Sequence, residues 1–217
     1  MKEATKMLKK IYNDCVKFPT YILTHPFKGY NLFKEEKQGK MSVAITFLVI
    51  IALLNIINYR YLGFIINNNN PRAFNSLLII VYSIVPVVLL SVANWSVTTL
   101  MDGKGKMKEI FMMVCYSYFP VIITGIITLV LSQVVIEDEI QFLSLLNGVG
   151  YFLMVYMIFM GLISIHEYGL FKTIATIVVT GVAACIILFV GLLIFDLSQQ
   201  IYGFLFSLYR EVKTRFF

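Results

Sequence analysis

Polar and apolar positions along this chain separate into five long apolar stretches between Met41 and Phe195, with almost every charged residue between or outside them. The hydrocarbon core of a bilayer, about 30 Å thick, takes roughly 20 apolar residues per helical span, and no water is present there to satisfy free backbone groups. The pattern therefore predicts membrane-spanning helices at Met41–Ile65, Ser76–Leu100, Lys108–Leu131, Phe142–Ile165 and Thr173–Phe195. The run Asn67 to Asn70 followed by Pro71 favours a turn and ends the first span. Asp102 to Lys106 is too short for anything but a helical hairpin between the second and third. Pro86 and Pro120 should kink those two helices, freeing a carbonyl in each. The expected fold is all-α: a polytopic membrane protein, a bundle of five transmembrane helices with amphipathic interfacial helices at both ends. Residues 1–40 make the N-terminal segment, 41–196 the transmembrane domain and 197–217 the C-terminal tail.

In the first segment Met7, Leu8, Ile11, Tyr12, Cys15 and Val16 recur at helical spacing, opposed by Lys6, Lys9, Lys10, Asn13 and Lys17. In the tail Ile201, Phe204, Leu205, Leu208, Tyr209 and Val212 form one face, with Gln200, Ser207, Arg210, Glu211 and Lys213 opposite. Helices of this kind suit a leaflet surface, and Lys9, Lys10, Ile11, Phe204 and Leu208 are the interfacial residues the pattern singles out. The N-terminal stripe has an equal alternative: packing on the protein's own spans or on a partner.

Composition sharpens this picture. With 59% hydrophobic residues, 14% charge and a mean hydropathy of +0.83, the 217-residue chain has too little polar surface to cover a soluble globule. A net charge of +6 would suit nucleic acid in a soluble protein, but half of the Lys and Arg lie in residues 1–40 and no recognition motif accompanies them. Anionic lipid headgroups are the expected partner, and nucleic acid is not. With the N-terminus inside, inner segments hold thirteen Lys and Arg and outer segments five, which predicts an N-in, C-out topology. Cys15, Cys115 and Cys185 are too widely spaced to suggest a metal site or a disulfide framework.

Apart from Arg60, whose long side chain can reach the interface, ionisable residues sit at the ends of spans. An ion-coupled transporter would place carboxylates, histidines or charge pairs near the midplane, so that class is disfavoured. Uncharged polar groups point to packing. Counting outward from the turn at Lys104 puts Asn94 level with Cys115, and Ser91 level with Tyr116 and Ser117, which predicts a hydrogen-bonded seam between the second and third helices. On the fifth span Thr176, Thr180 and Ala184 recur every four residues, spacing that lets helix backbones approach. Ser91, Asn94, Trp95, Tyr116, Ser117, Pro120, Thr176, Thr180 and Ala184 are thus the expected helix-packing or partner-contact residues.

Catalytic arrangements do not emerge. His166-Glu167-Tyr168-Gly169-Leu170 begins like a zinc-protease helix but lacks the second histidine, and a solvated helix end is the expected place for His166. Glu137, Asp138 and Glu139 are consecutive on one loop and rarely converge on one ion. No phosphate-binding loop, dinucleotide fingerprint or nucleophile elbow is present, so neither an enzyme nor a cofactor or metal is expected.

The stretch Ala93-Asn94-Trp95 through Thr98-Thr99-Leu100, then Gly103-Lys104-Gly105 and Lys108-Glu109-Ile110, followed by Tyr116 and Pro120, resembles the Yip domain family of Ypt/Rab-interacting membrane proteins in its bacterial branch. His25-Pro26-Phe27, and Asp196 through Gln199-Gln200 leading to Glu211 and Arg215, extend the resemblance over nearly the whole chain. It implies a five-helix membrane domain with a cytosolic N-terminus and a short C-terminus on the far side. Eukaryotic relatives work in vesicle traffic and bind small GTPases. Their N-terminal Asp-Leu-Tyr-Gly-Pro type motif is absent here, which argues against GTPase binding. Some bacterial relatives are encoded beside carbohydrate importers of the ATP-binding-cassette type.

The sequence thus points to a non-catalytic adaptor in the cytoplasmic membrane of a bacterium, associating with other integral membrane proteins such as the permease subunits of a sugar importer. The competing expectation is a transport component holding a lipid or small neutral solute between the second and third helices. A continuous cavity there would favour it.

Overall fold

The computed structural model describes residues 9, 10, 12–36 and 38–216, so Met7, Leu8 and Ile11 of the N-terminal stripe lie outside it. A π-helical turn at Asn13–Lys17 leads into two short helices, α1 (Phe18–Thr24) and α2 (Pro26–Lys34). The spans follow as α3 (Met41–Tyr61), α4 (Ser76–Leu100), α5 (Met107–Ser117) with α6 (Phe119–Leu131), α7 (Ile140–His166) and α8 (Leu170–Phe216). Five of these segments are long and apolar enough to cross a membrane, the third formed by α5 and α6 together.

Local chemistry sets the boundaries. The side chain of Asn75 accepts from Leu78 N at 3.2 Å and caps α4. At its other end Asp102 adopts a left-handed φ of 56° while Gly103 N bonds back to Thr98 O, the usual way to close orphan carbonyls. Pro120 has no N–H to give the Tyr116 carbonyl, so the third span breaks at Tyr118, whose N–H turns to Cys115 O. Pro86, by contrast, sits inside an unbroken α4. The first span ends at Tyr61, short of the predicted Ile65, because α6 captures its last groups: Gln133 donates to Tyr61 O at 2.7 Å and Ser132 Oγ accepts from Gly63 N at 3.0 Å. A Cβ on Gly63 would lie 1.7 Å from Ser132 O, so only glycine permits this approach.

The third span is the centre of the bundle, packed by α3, α4 and α7. In its most apolar stretch 67% of residues are buried, against 6% in α8. Gly161 lets α7 close on α5, since a Cβ there would meet Met113 at 2.6 Å. The hairpin α1–α2 folds back on this bundle and buries Ile22, Tyr30 and Phe33, so from Phe18 onward the N-terminal segment packs on the protein's own spans. Lys9, Lys10 and Tyr12 stay exposed.

The largest departure from the sequence reading is at the other end. A separate tail helix was expected after residue 196, yet α8 runs unbroken for 47 residues, about 70 Å at 1.5 Å per residue. No proline and no left-handed residue interrupts it. Its first turns lie on α4, and from Leu188 to Arg215 every side chain is exposed, Phe204 and Leu208 included.

Candidate functional site: a polar relay, an apolar cleft and a bare helix

Asn94 is 2% exposed on α4 and sits at the middle of a chain of hydrogen bonds. Gly105 N donates to His166 Nδ1 at 3.3 Å, which makes Nδ1 an acceptor and leaves the ring hydrogen on Nε2. That nitrogen then donates to Asn94 Oδ1 at 3.2 Å, and Asn94 Nδ2 donates to Thr180 Oγ1 at 3.2 Å. The relay ties the α4–α5 turn, α7, α4 and α8 together near one end of the bundle. The expected seam from Asn94 to the level of Cys115 is not what forms: Asn94 turns toward α7 and α8, because α8 packs on the face of α4 that carries it. His166 is likewise no solvated helix end; it is 1% exposed.

The other polar residues of that expected seam divide differently. Ser91 and Ser117 bond within their own helices, to Val87 O and Met113 O, and Ser117 also meets Tyr30 OH at 3.4 Å. Tyr116 faces the N-terminal hairpin and α3: Lys40 N donates to its hydroxyl at 3.2 Å, and the rings of Phe18, Phe33 and Phe47 pack edge-on around it. Pro120 is buried, whereas Trp95 is 43% exposed on the outer side of α4. Thr176 and Thr180 are buried against α4, with Thr176 Oγ1 3.7 Å from the Met101 sulfur, and Ala184 is half-buried at the edge of that contact.

A charged clamp sits just beyond the relay. Glu167, left-handed at φ 56°, is held by Lys104 from the α4–α5 turn at 2.5 Å and by Lys34 from α2 at 2.8 Å. Those hydrogen bonds, Lys104's first, bring its carboxyl down to about 2. Lys34 Nζ also caps the end of α7 through Ile165 O at 2.9 Å. Tyr168 completes the corner by donating to Met101 O at 2.9 Å. At the opposite end, Arg60 lies in the last turn of α3 with its guanidinium over Tyr61 and Phe74.

The second and third spans touch directly and together line one side of a cleft that the fourth and fifth spans complete. This cleft, of about 420 Å³, opens where α7 and α8 diverge and is floored by α4 and α5. Leu90, Met113, Phe152, Phe159 and Ile177 give it apolar walls, and Asn94 and Thr180 are its polar points.

Along bare α8, Val190, Ile194, Leu197, Ile201, Phe204 and Leu208 are spaced alternately four and three residues apart. This is the stripe two helices use to pack along each other. The sequence alone offered its second half as a separate amphipathic helix at the membrane interface; the unbroken helix joins it to the membrane span.

These features define a multi-pass α-helical membrane protein whose polar groups serve helix packing. The Yip1 domain profile matches residues 20–209, and the chain belongs to that family. No curated protein and no solved structure matches it.

Proposed function

We propose that the protein is a non-catalytic membrane adaptor that uses the outer half of α8 to bind another integral membrane protein side by side. The observation that carries this is the run from Leu188 to Arg215, exposed throughout and striped with large apolar side chains. The stripe continues from the lipid-embedded part past the length of a bilayer, where exposed apolar surface of this extent marks an interaction face. In the bacterial cytoplasmic membrane, with the N-terminus inside by its lysine content, that face projects on the outer side. Permease subunits of an ATP-binding-cassette sugar importer are the partner implied by the genomic neighbours of bacterial relatives.

Purification of the full chain from native membranes in mild detergent tests this. The wild type should carry a permease subunit at a fixed ratio, and Phe204→Ser with Leu208→Ser should lose it while the bundle melts unchanged. A wild-type protein that elutes alone, or a double variant that keeps its partner, contradicts the reading.

A further inference from the structure

The cleft between α7 and α8 has a volume within the range of about 300–1,000 Å³ typical of ligand sites, and it lies at the depth of lipid, where water is absent. A transmembrane helix, about 10 Å across, would use up that volume in about one turn, so the cleft is sized for something thinner. Its walls are largely hydrocarbon, yet two donors that line it have no acceptor among the described residues: the hydroxyl hydrogen of Thr180 on α8 and the second amide hydrogen of Asn94 on α4. Both residues are 2% exposed. Lys106 caps the start of α5, the helix that brings Ile110 to the cleft, and Lys106 and Lys108 are exposed at that end of the bundle and join no ion pair among the described residues.

We propose that the cleft is a binding site for one anionic glycerophospholipid. One acyl chain fills the space between α7 and α8, an ester carbonyl accepts from Thr180 and Asn94, and the phosphate and headgroup reach Lys106 and Lys108 at the start of α5. This site is separate from the bare half of α8 and stands whether or not that helix binds a partner.

Delipidated full-length protein in mild detergent, titrated with dioleoylphosphatidylglycerol or dioleoylphosphatidylcholine and read by native mass spectrometry, tests it. One phosphatidylglycerol should bind per chain, about tenfold more tightly than phosphatidylcholine, as expected for about 1 kcal/mol from each surface lysine with partial screening. Lys106→Gln with Lys108→Gln should bring the two lipids level. Ile177→Trp and Ile158→Trp fill the cleft from opposite walls, and whichever of them elutes monodisperse should lose the bound lipid. Thr180→Val, which keeps the shape and removes the donor, should weaken binding severalfold without abolishing it. Equal lipid retention in the wild type and a monodisperse filled variant overturns the proposal, as does binding of many lipids with no headgroup preference. So does a photocrosslink from position 177 to another protein in place of lipid.

Discussion

The third span and the last helix are both apolar enough to cross a bilayer, but they spend that character differently. The α5–α6 span is packed by three other helices and the N-terminal hairpin and buries Ile110, Met113, Tyr116, Phe119 and Ile122, while Ile123, Ile126, Ile127 and Val130 face outward. The α8 helix, which holds the most apolar stretch of the five, touches the bundle only through Thr173, Thr176, Thr180 and their neighbours. Hydropathy alone therefore does not rank burial in a membrane protein, because lipid accepts an apolar side chain as readily as a neighbouring helix does. What separates the two is small and polar side chains. Threonines mark the half of α8 that packs, and large aliphatic and aromatic residues mark the half that does not.

If the third span holds the fold together, Tyr116→Ala should produce the largest loss. The ring is fully buried among three aromatic neighbours, and removing an aromatic core side chain costs about 3–5 kcal/mol. Thermal unfolding in detergent measures it, and a change within the error of the wild type would break the contrast from its strong side. Asn94→Leu comes next. It leaves His166 Nε2 and Thr180 unpaired in a water-free site, for a loss of about 1–3 kcal/mol by the same assay. Unchanged stability there would mean that α8 needs no polar attachment to α4.

The smallest effect is electrostatic. Glu167 titrates near 2 in the folded protein against an ordinary 4.5, so the folded state binds its proton more weakly than the unfolded chain does. Its contribution is present above pH 4.5 and fades as pH falls through the folded value. Because this carboxylate is solvent-exposed, the expected change is a small downward drift of the melting temperature below pH 4.5, absent in Glu167→Gln. An identical acid profile in the variant would show that the clamp does not hold α2, the α4–α5 turn and α7 together.

Much of this architecture was legible in the sequence. The five spans, the hairpin at Asp102 to Lys106 and the break near Pro120 follow from apolar run length, turn residues and a missing N–H, all of them local. Asn94, Thr176 and Thr180 stood out by residue type, yet the partnership of Asn94 with Thr180 could not be read. The short turn fixes only which helix follows α4 in the chain, whereas α8 arrives from 70 residues further on. The burial of His166 escaped for the same reason. Its one available signal was depth: the α4–α5 turn with Gly105 lies at the same end of the bundle as the α7 terminus, and a glycine-rich turn leaves room for a ring. The continuity of α8 was obscured by Asp196 and the polar residues after it, which suit a helix in water as well as the start of a separate tail.

The central claim is that the bundle is complete without the outer half of α8 and that this half is a surface for another membrane protein. A photocrosslinking scan with single benzoylphenylalanine substitutions along α8 in native membranes tests it most directly. Adducts to one protein of defined mass should appear on the face of Ile194, Ile201 and Leu208, while position 176 crosslinks only within the chain. Crosslinks to lipid alone at every position beyond 188 would contradict it.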